Sequence, residues 1–216
     1  MKSEIIFSCR IVTKNMIDAI LLAAGLSTRM GTDKTALKIS GRTILANALD
    51  QAVKSGLSKI IVVTRRPIQE RAAEHEWGCE KERIVNIINR KPESGMSYSI
   101  KTGMSVINET ADGVMIILAD QVGLDSSVID KLVSAFFENP GKIIVPTIKD
   151  RRTTPVIFPA RFFSDLRELT GDKGGREIIN SNTNLLKTVE FANDYDDHDI
   201  DTAEDYLRII SRKNRD

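Results

Sequence analysis

"IDAILLAAGLSTRMGTDKTALKISGRTIL", residues Ile17 to Leu45, decides the fold. The stretch opens as an apolar strand and shrinks at Ala23, Ala24 and Gly25 to side chains of almost no size. Arg29 and Lys34 follow within ten positions of that loop. In open α/β sheets, ligands sit where the carboxyl ends of strands lead into helices. Small side chains there leave backbone N–H groups open to phosphate oxygens or to the edge of a base. A turn or helix starting near Ser27 adds its positive end. Arg29 presents a planar fork and Lys34 a compact charge, a combination suited to a polyphosphate. Neither GxxxxGK[ST] nor GxGxxG is present. A small-residue turn carrying two solvated cations is the other reading that these residues leave open.

Outward from this stretch, Ile- and Val-rich runs alternate with helical patterns. "KIIVVT", "RIVNII", "GVMIILA" and "GKIIVPTI" read, like "IDAILLA", as strands buried on both faces. "TILANALDQAVKSG", "MSYSIKTGMSVIN" and "SSVIDKLVSAFFEN" carry apolar residues at helical spacing, with Gly56 or Pro140 near their ends. The alternation predicts a mostly parallel sheet covered by helices. Beyond residue 150, "TPVIFP", a helix around "ARFFSDLREL", the strand "LLKTVEF" and a last helix in "TAEDYLRIISRK" complete the sheet and roof one edge.

Composition narrows the function classes. The chain has 216 residues, enough for one well-formed core, and no repeat or linker divides it. With 31 Lys and Arg against 30 Asp and Glu, there is no global field for nucleic acid or an anionic membrane surface, so any positive site is local. Cys9 and Cys79 match no metal spacing and make no disulfide framework, which fits a reducing compartment. No signal-peptide core is evident, and no apolar run reaches the roughly 20 residues of a membrane span. A cytoplasmic protein is expected. Residues 1–15 are either a small extra strand or a dispensable extension, with a single domain over 16–216.

"LLAAGLSTRMGTDK" resembles the LAAGxSxRMGxxK signature of the MobA-like nucleotidyltransferases, and within them the molybdenum cofactor cytidylyltransferase branch most of all. "GMSYSIKTG", "ILADQ", "LTGDKGGREII" and "DIDTAEDY" are similar to further motifs of that family and occur in the same order. The resemblance covers Ile17 to about Leu207. It implies a three-layer αβα fold with a mostly parallel, Rossmann-like sheet of the nucleotide-diphospho-sugar transferase type. The implied reaction is Mg²⁺-dependent transfer of a nucleoside monophosphate, CMP from CTP in the cytidylyl branch, to the phosphate of molybdopterin with release of pyrophosphate.

Asp120 closes the most hydrophobic strand, where a carboxylate is costly unless something positive meets it. Mg²⁺, which joins one or two carboxylates to substrate phosphates, is the natural partner, and the resemblance assigns the same ligand role to this aspartate. Asp201 is the expected second carboxylate, with Asp199 as its competitor. A phosphate monoester is already ionised at neutral pH, so the reaction needs alignment and charge neutralisation more than a general base. His75 and His198, the two histidines, accordingly read as surface residues.

Arg29, Lys34 and Asp120 are therefore the expected catalytic set. Leu22, Ala23, Ala24, Gly25, Ser27, Thr64, Asn89, Ser97 and Ser99 are expected to bind the nucleotide. Where the guanylyl branch has LAGG, Ala24 adds a methyl that narrows the base pocket and favours a pyrimidine. Gln121, Thr154, Asp172 and Arg176 are expected at the acceptor. The chain departs from the family in Thr153 and Thr154, which stand where GHP is usual, and in Val122, which replaces the proline after "ADQ". These departures keep two alternatives open. One is a transferase for a sugar phosphate or another phosphorylated small molecule. The other is a non-catalytic molybdenum cofactor chaperone partnered with a hydroxylase.

Overall fold

The computed structural model describes residues 16–26, 33–68, 78–172, 174–191, 200 and 202–213. Their scaffold is an eight-stranded sheet between two layers of helices. The central strand β1, Ile17–Ala23, shows why. Ile17, Ala19, Leu21 and Ala23 enter one apolar cluster, while Ile20 enters the other. β4 (Ile60–Thr64) and β6 (Gly113–Leu118) flank it in parallel and divide their side chains the same way, Val62 and Ile117 to one face, Ile61 and Ile116 to the other. A strand apolar at every position must be covered on both sides.

One face is covered by α1 (Ile44–Lys54) and by α3 (Ser126–Glu138), through Leu49 and Ala52 and through Ile129, Leu132 and Phe136. The other is covered by α2 (Gly95–Met104), α4 (Phe163–Glu168) and α5 (Arg176–Ser181), through Ile100, Met104, Leu166 and Ile178. Phe136, Phe162 and Phe163 are buried and Phe137 packs on the core, so these aromatic pairs are packing residues.

With β5 (Ile84–Ile88), β7 (Ile143–Ile148), β9 (Val156–Pro159) and β10 (Leu186–Glu190), the sheet runs β10-β7-β9-β6-β1-β4-β5. The "TPVIFP" strand, β9, is inserted antiparallel between β6 and β7, whereas β1, β4, β5 and β6 form a parallel block. A two-residue strand, β8 (Arg151–Arg152), pairs with β7. The structure corrects the expectation that "RIVNII" is buried on both faces. β5 lies at the edge, next to β4 alone, and none of its five residues is fully buried.

A hairpin of β2 (Lys38–Ile39) and β3 (Arg42–Thr43) leads from the opening loop into α1. It packs against the last helix, α6 (Ala203–Lys213), in a small third cluster of Ile39, Ile44 and Ile200, with Val122 and Ile209 against it. No described helix is long and apolar enough to cross a membrane.

Candidate active site

At the carboxyl ends of β1 and β6 the chain opens into a cavity of about 650 Å³. The parallel pairing of Leu22 with Leu118 brings the two strand ends together, and the Ala119 N–H donates to the Leu22 carbonyl at 3.1 Å. Leu22, Ala23, Ala24 and Gly25 line the cavity from β1, and Ala119 and Asp120 from β6. A methyl at Gly25 would meet no atom of the described residues within 4 Å. Packing among the described residues therefore does not demand the glycine, which leaves the backbone bare on the cavity side.

Lys34 reaches the same cavity, its Nζ standing 3.8 Å from Asp120 Oδ2. Two neighbours position it. Asp33 caps the short turn Lys34–Ala36, with Oδ1 accepting from the Thr35 N–H at 3.1 Å and the Thr35 hydroxyl at 2.7 Å. Asp33 Oδ2 also pairs with Arg65 Nη2 at 2.6 Å, tying the loop to the end of β4. Neither Asp33 nor Arg65 was expected at the site. The Asp-Lys-Thr capping pattern is the signal that points to Asp33, whereas nothing local points to Arg65.

The far wall is built from residues 92–96 and Ser99 on one side, and Gly171, Asp172 and Arg176 on the other. Ser99, 7% exposed, accepts a hydrogen bond from Asn89 Nδ2 at 2.8 Å, and Asn89 Oδ1 accepts from the Lys91 N–H. The Ser99 hydroxyl proton is left to turn toward a ligand. Asn89 thus stands behind Ser99 and does not itself line the cavity.

Other expected residues are engaged elsewhere. Thr64 donates to the Arg66 carbonyl and accepts from Asn86 Nδ2, and Ser97 donates to the Thr170 carbonyl. Neither lines the cavity. Gln121 and Thr154 meet each other, Nε2 donating to the Thr154 carbonyl at 3.4 Å, beside a second hollow of about 340 Å³ that Gln121 lines. The structure therefore unites Leu22, Ala23, Ala24, Gly25, Lys34, Ser99, Asp120, Asp172 and Arg176 on one cavity. Ser27, Arg29, His75, His198, Asp199 and Asp201 lie outside the described residues.

The pattern of the MobA-like NTP transferase domain matches residues 19–187. The chain belongs to this family. It is 30% identical to the Bacillus subtilis purine catabolism protein PucB over 87% of this chain and 92% of that protein. It is also 25% identical to a probable molybdenum cofactor guanylyltransferase of Pyrococcus horikoshii, over 72% and 73% of the two chains. Among solved structures, Rv0371c of Mycobacterium tuberculosis H37Rv in complex with manganese superposes with a TM-score of 0.74 at 21% identity, covering 91% of this chain and 98% of that one. The chain is thus a MobA-like nucleotidyltransferase.

For this MobA-like protein, the fit of a divalent cation rests on donor chemistry. Asp120 gives the cavity a hard, partly exposed carboxylate, 28% accessible, at the end of a buried strand. Among the described residues no group of three metal-ligating side chains occurs. A carboxylate so placed suits Mg²⁺ or Mn²⁺ bound by one or two carboxylates with phosphates completing the shell. Ile200, next to Asp201 in sequence, shares an apolar cluster with Val122, two residues past Asp120.

Proposed function

We propose that the protein transfers CMP from CTP to the phosphate of molybdopterin carrying molybdenum, releasing pyrophosphate with Mg²⁺ as cofactor. The observation that carries this reading is the convergence of Gly25, Lys34 and Asp120 on one cavity. The triphosphate lies along the bare amides of residues 23–25, with Lys34 and Arg29 opposing its charge. An acceptor phosphate oxygen attacks the α-phosphorus, the new P–O bond forms, and the bond to the bridging oxygen breaks as pyrophosphate leaves. No proton has to be removed from the attacking group, because a phosphate monoester is already ionised at neutral pH. Asp120, with Asp201 as second carboxylate, is the ligand set for Mg²⁺, which supplies charge neutralisation at the reacting phosphates.

CTP is favoured by the Ser99 hydroxyl, a donor suited to the carbonyl or ring nitrogen of a pyrimidine, whereas the Ala24 methyl, 2% exposed, packs in the apolar cluster that α2 covers. Arg176, exposed on the far wall, is placed to meet the acceptor's phosphate. The Pyrococcus relative, a probable molybdenum cofactor guanylyltransferase, supports a molybdenum cofactor acceptor. A molybdenum hydroxylase is the partner that this reading implies for the product.

The test is a thermal-shift screen of CTP, GTP, ATP and UTP with Mg²⁺, followed by pyrophosphate release with molybdenum cofactor and with sugar phosphates. Stabilisation by CTP and release with the cofactor are expected. Release with a sugar phosphate alone selects the other transferase reading, and stabilisation by cofactor without response to any triphosphate selects a carrier.

A further inference from the structure

The far wall holds an acid where a polyanion is to bind. Asp172 lines the cavity, and a carboxylate in contact with an acceptor phosphate would repel it. The structure gives that carboxylate another task. Ser94, the residue before α2, makes no side-chain cap bond. The helix instead receives its acceptors from a segment 73 to 76 residues away. The Met96 N–H donates to Asp172 Oδ1 at 2.9 Å, the Ser97 N–H to the Gly171 carbonyl at 3.3 Å, and the Ser97 hydroxyl to the Thr170 carbonyl at 3.1 Å.

Gly95 makes the approach possible. Its backbone, at φ 81° and ψ −175°, lies in a region essentially reserved for glycine. A methyl there would fall 2.9 Å from the Gly171 carbonyl oxygen and 3.0 Å from Asp172 Oδ1. The "GMSYS" and "GDKGG" stretches, separate in sequence, are therefore the two halves of one clamp, with Ser99 carried on one half and Arg176 on the other.

We propose that Asp172 is a positioning residue: by capping α2 from the adjoining Gly171–Asp172 segment of the same wall it sets the placement of Ser99 relative to Arg176, and it does not touch the acceptor. The consequence for binding rests on the reading of the cavity as a nucleoside triphosphate site.

The experiment compares Asp172→Ala and Asp172→Asn in the full chain by amide hydrogen exchange at Met96 and Ser97 without ligand, and by calorimetric titration with CTP and Mg²⁺. Loss of the cap in Asp172→Ala accelerates Met96 exchange and raises the CTP Kd, each about fivefold to tenfold. Asp172→Asn, which keeps an oxygen to accept from Met96, restores both. Unchanged Met96 exchange in Asp172→Ala, or an asparagine variant as impaired as the alanine one, overturns the proposal. Should Asp172→Ala fail to fold, Asp172→Asn carries the test, with near-normal exchange and affinity expected and a tenfold loss decisive against it. If the wild type binds none of CTP, GTP, ATP and UTP, the nucleotide reading fails, and Met96 exchange alone decides the clamp.

Discussion

The two walls of the cavity use similar residues to opposite ends. On the near wall, between β1 and β6, Gly25 meets no atom of the described residues on its open side, while Lys34 and Asp120 face the cavity as an ion pair 3.8 Å apart. On the far wall, Gly95 presses against Gly171, and Asp172 and Ser97 are hydrogen-bonded to residues of the same wall or next to it. A glycine, a charged group and a hydroxyl can thus serve a ligand or serve the fold. The distinction lies in whether the group also ties two distant chain segments together, as Asp172 and Ser97 do.

The contrast breaks most readily on the near wall. Asp120→Asn is expected to lower pyrophosphate release by about 10²–10³-fold with an unchanged melting temperature. Unchanged turnover would remove Asp120 from the chemistry. Lys34→Ala should follow with a loss of about 10–10²-fold, again with little change in stability. A large drop in melting temperature at normal specific activity would make Lys34 a structural residue instead.

On the far wall the order of effects reverses. Gly95→Ala is expected to cost about 1–3 kcal/mol of folding stability in a urea titration, because its backbone region excludes a side chain. A variant as stable as the wild type would mean that the clamp yields freely, and the two walls would no longer differ.

The smallest effect lies away from both walls, at the opposite end of β1. Burial pushes the Asp18 carboxyl up from its ordinary 3.8, against the opposing influence of the Asn108 N–H and of Lys59. With a folded value above the unfolded one, its contribution to stability is full below 3.8 and is lost as pH rises through the folded value. Asp50 runs the other way. Burial raises it, but Lys54 and Arg42 together outweigh burial and hold it low, so its contribution is lost as pH falls. The stability of Asp18→Asn relative to wild type should therefore grow above pH 3.8 and then level off. A flat difference across that window would remove Asp18 from the pH dependence.

Much of the near wall was legible because its signals are local. Leu22, Ala23, Ala24 and Gly25 are consecutive, and Asp120 stands out at the end of a hydrophobic strand. The fold was legible for the same reason, except at β5, whose apolar composition does not reveal that it has one neighbour only. The far wall was legible only as a set of motifs. Thr64, Asn89, Ser97 and Ser99 look alike in sequence, yet only Ser99 lines the cavity. Asn86 takes up Thr64, and Thr170 takes up Ser97.

By itself the sequence determined a two-faced, mostly parallel sheet and a small-residue bend with charge nearby, since strand burial and side-chain size are properties of contiguous residues. Tertiary structure alone decided which polar groups stay open and which are closed off, because a hydroxyl or a carboxylate is satisfied by whatever the fold brings within 3 Å. Met96 and Asp172, 76 residues apart, meet for no reason written near either of them.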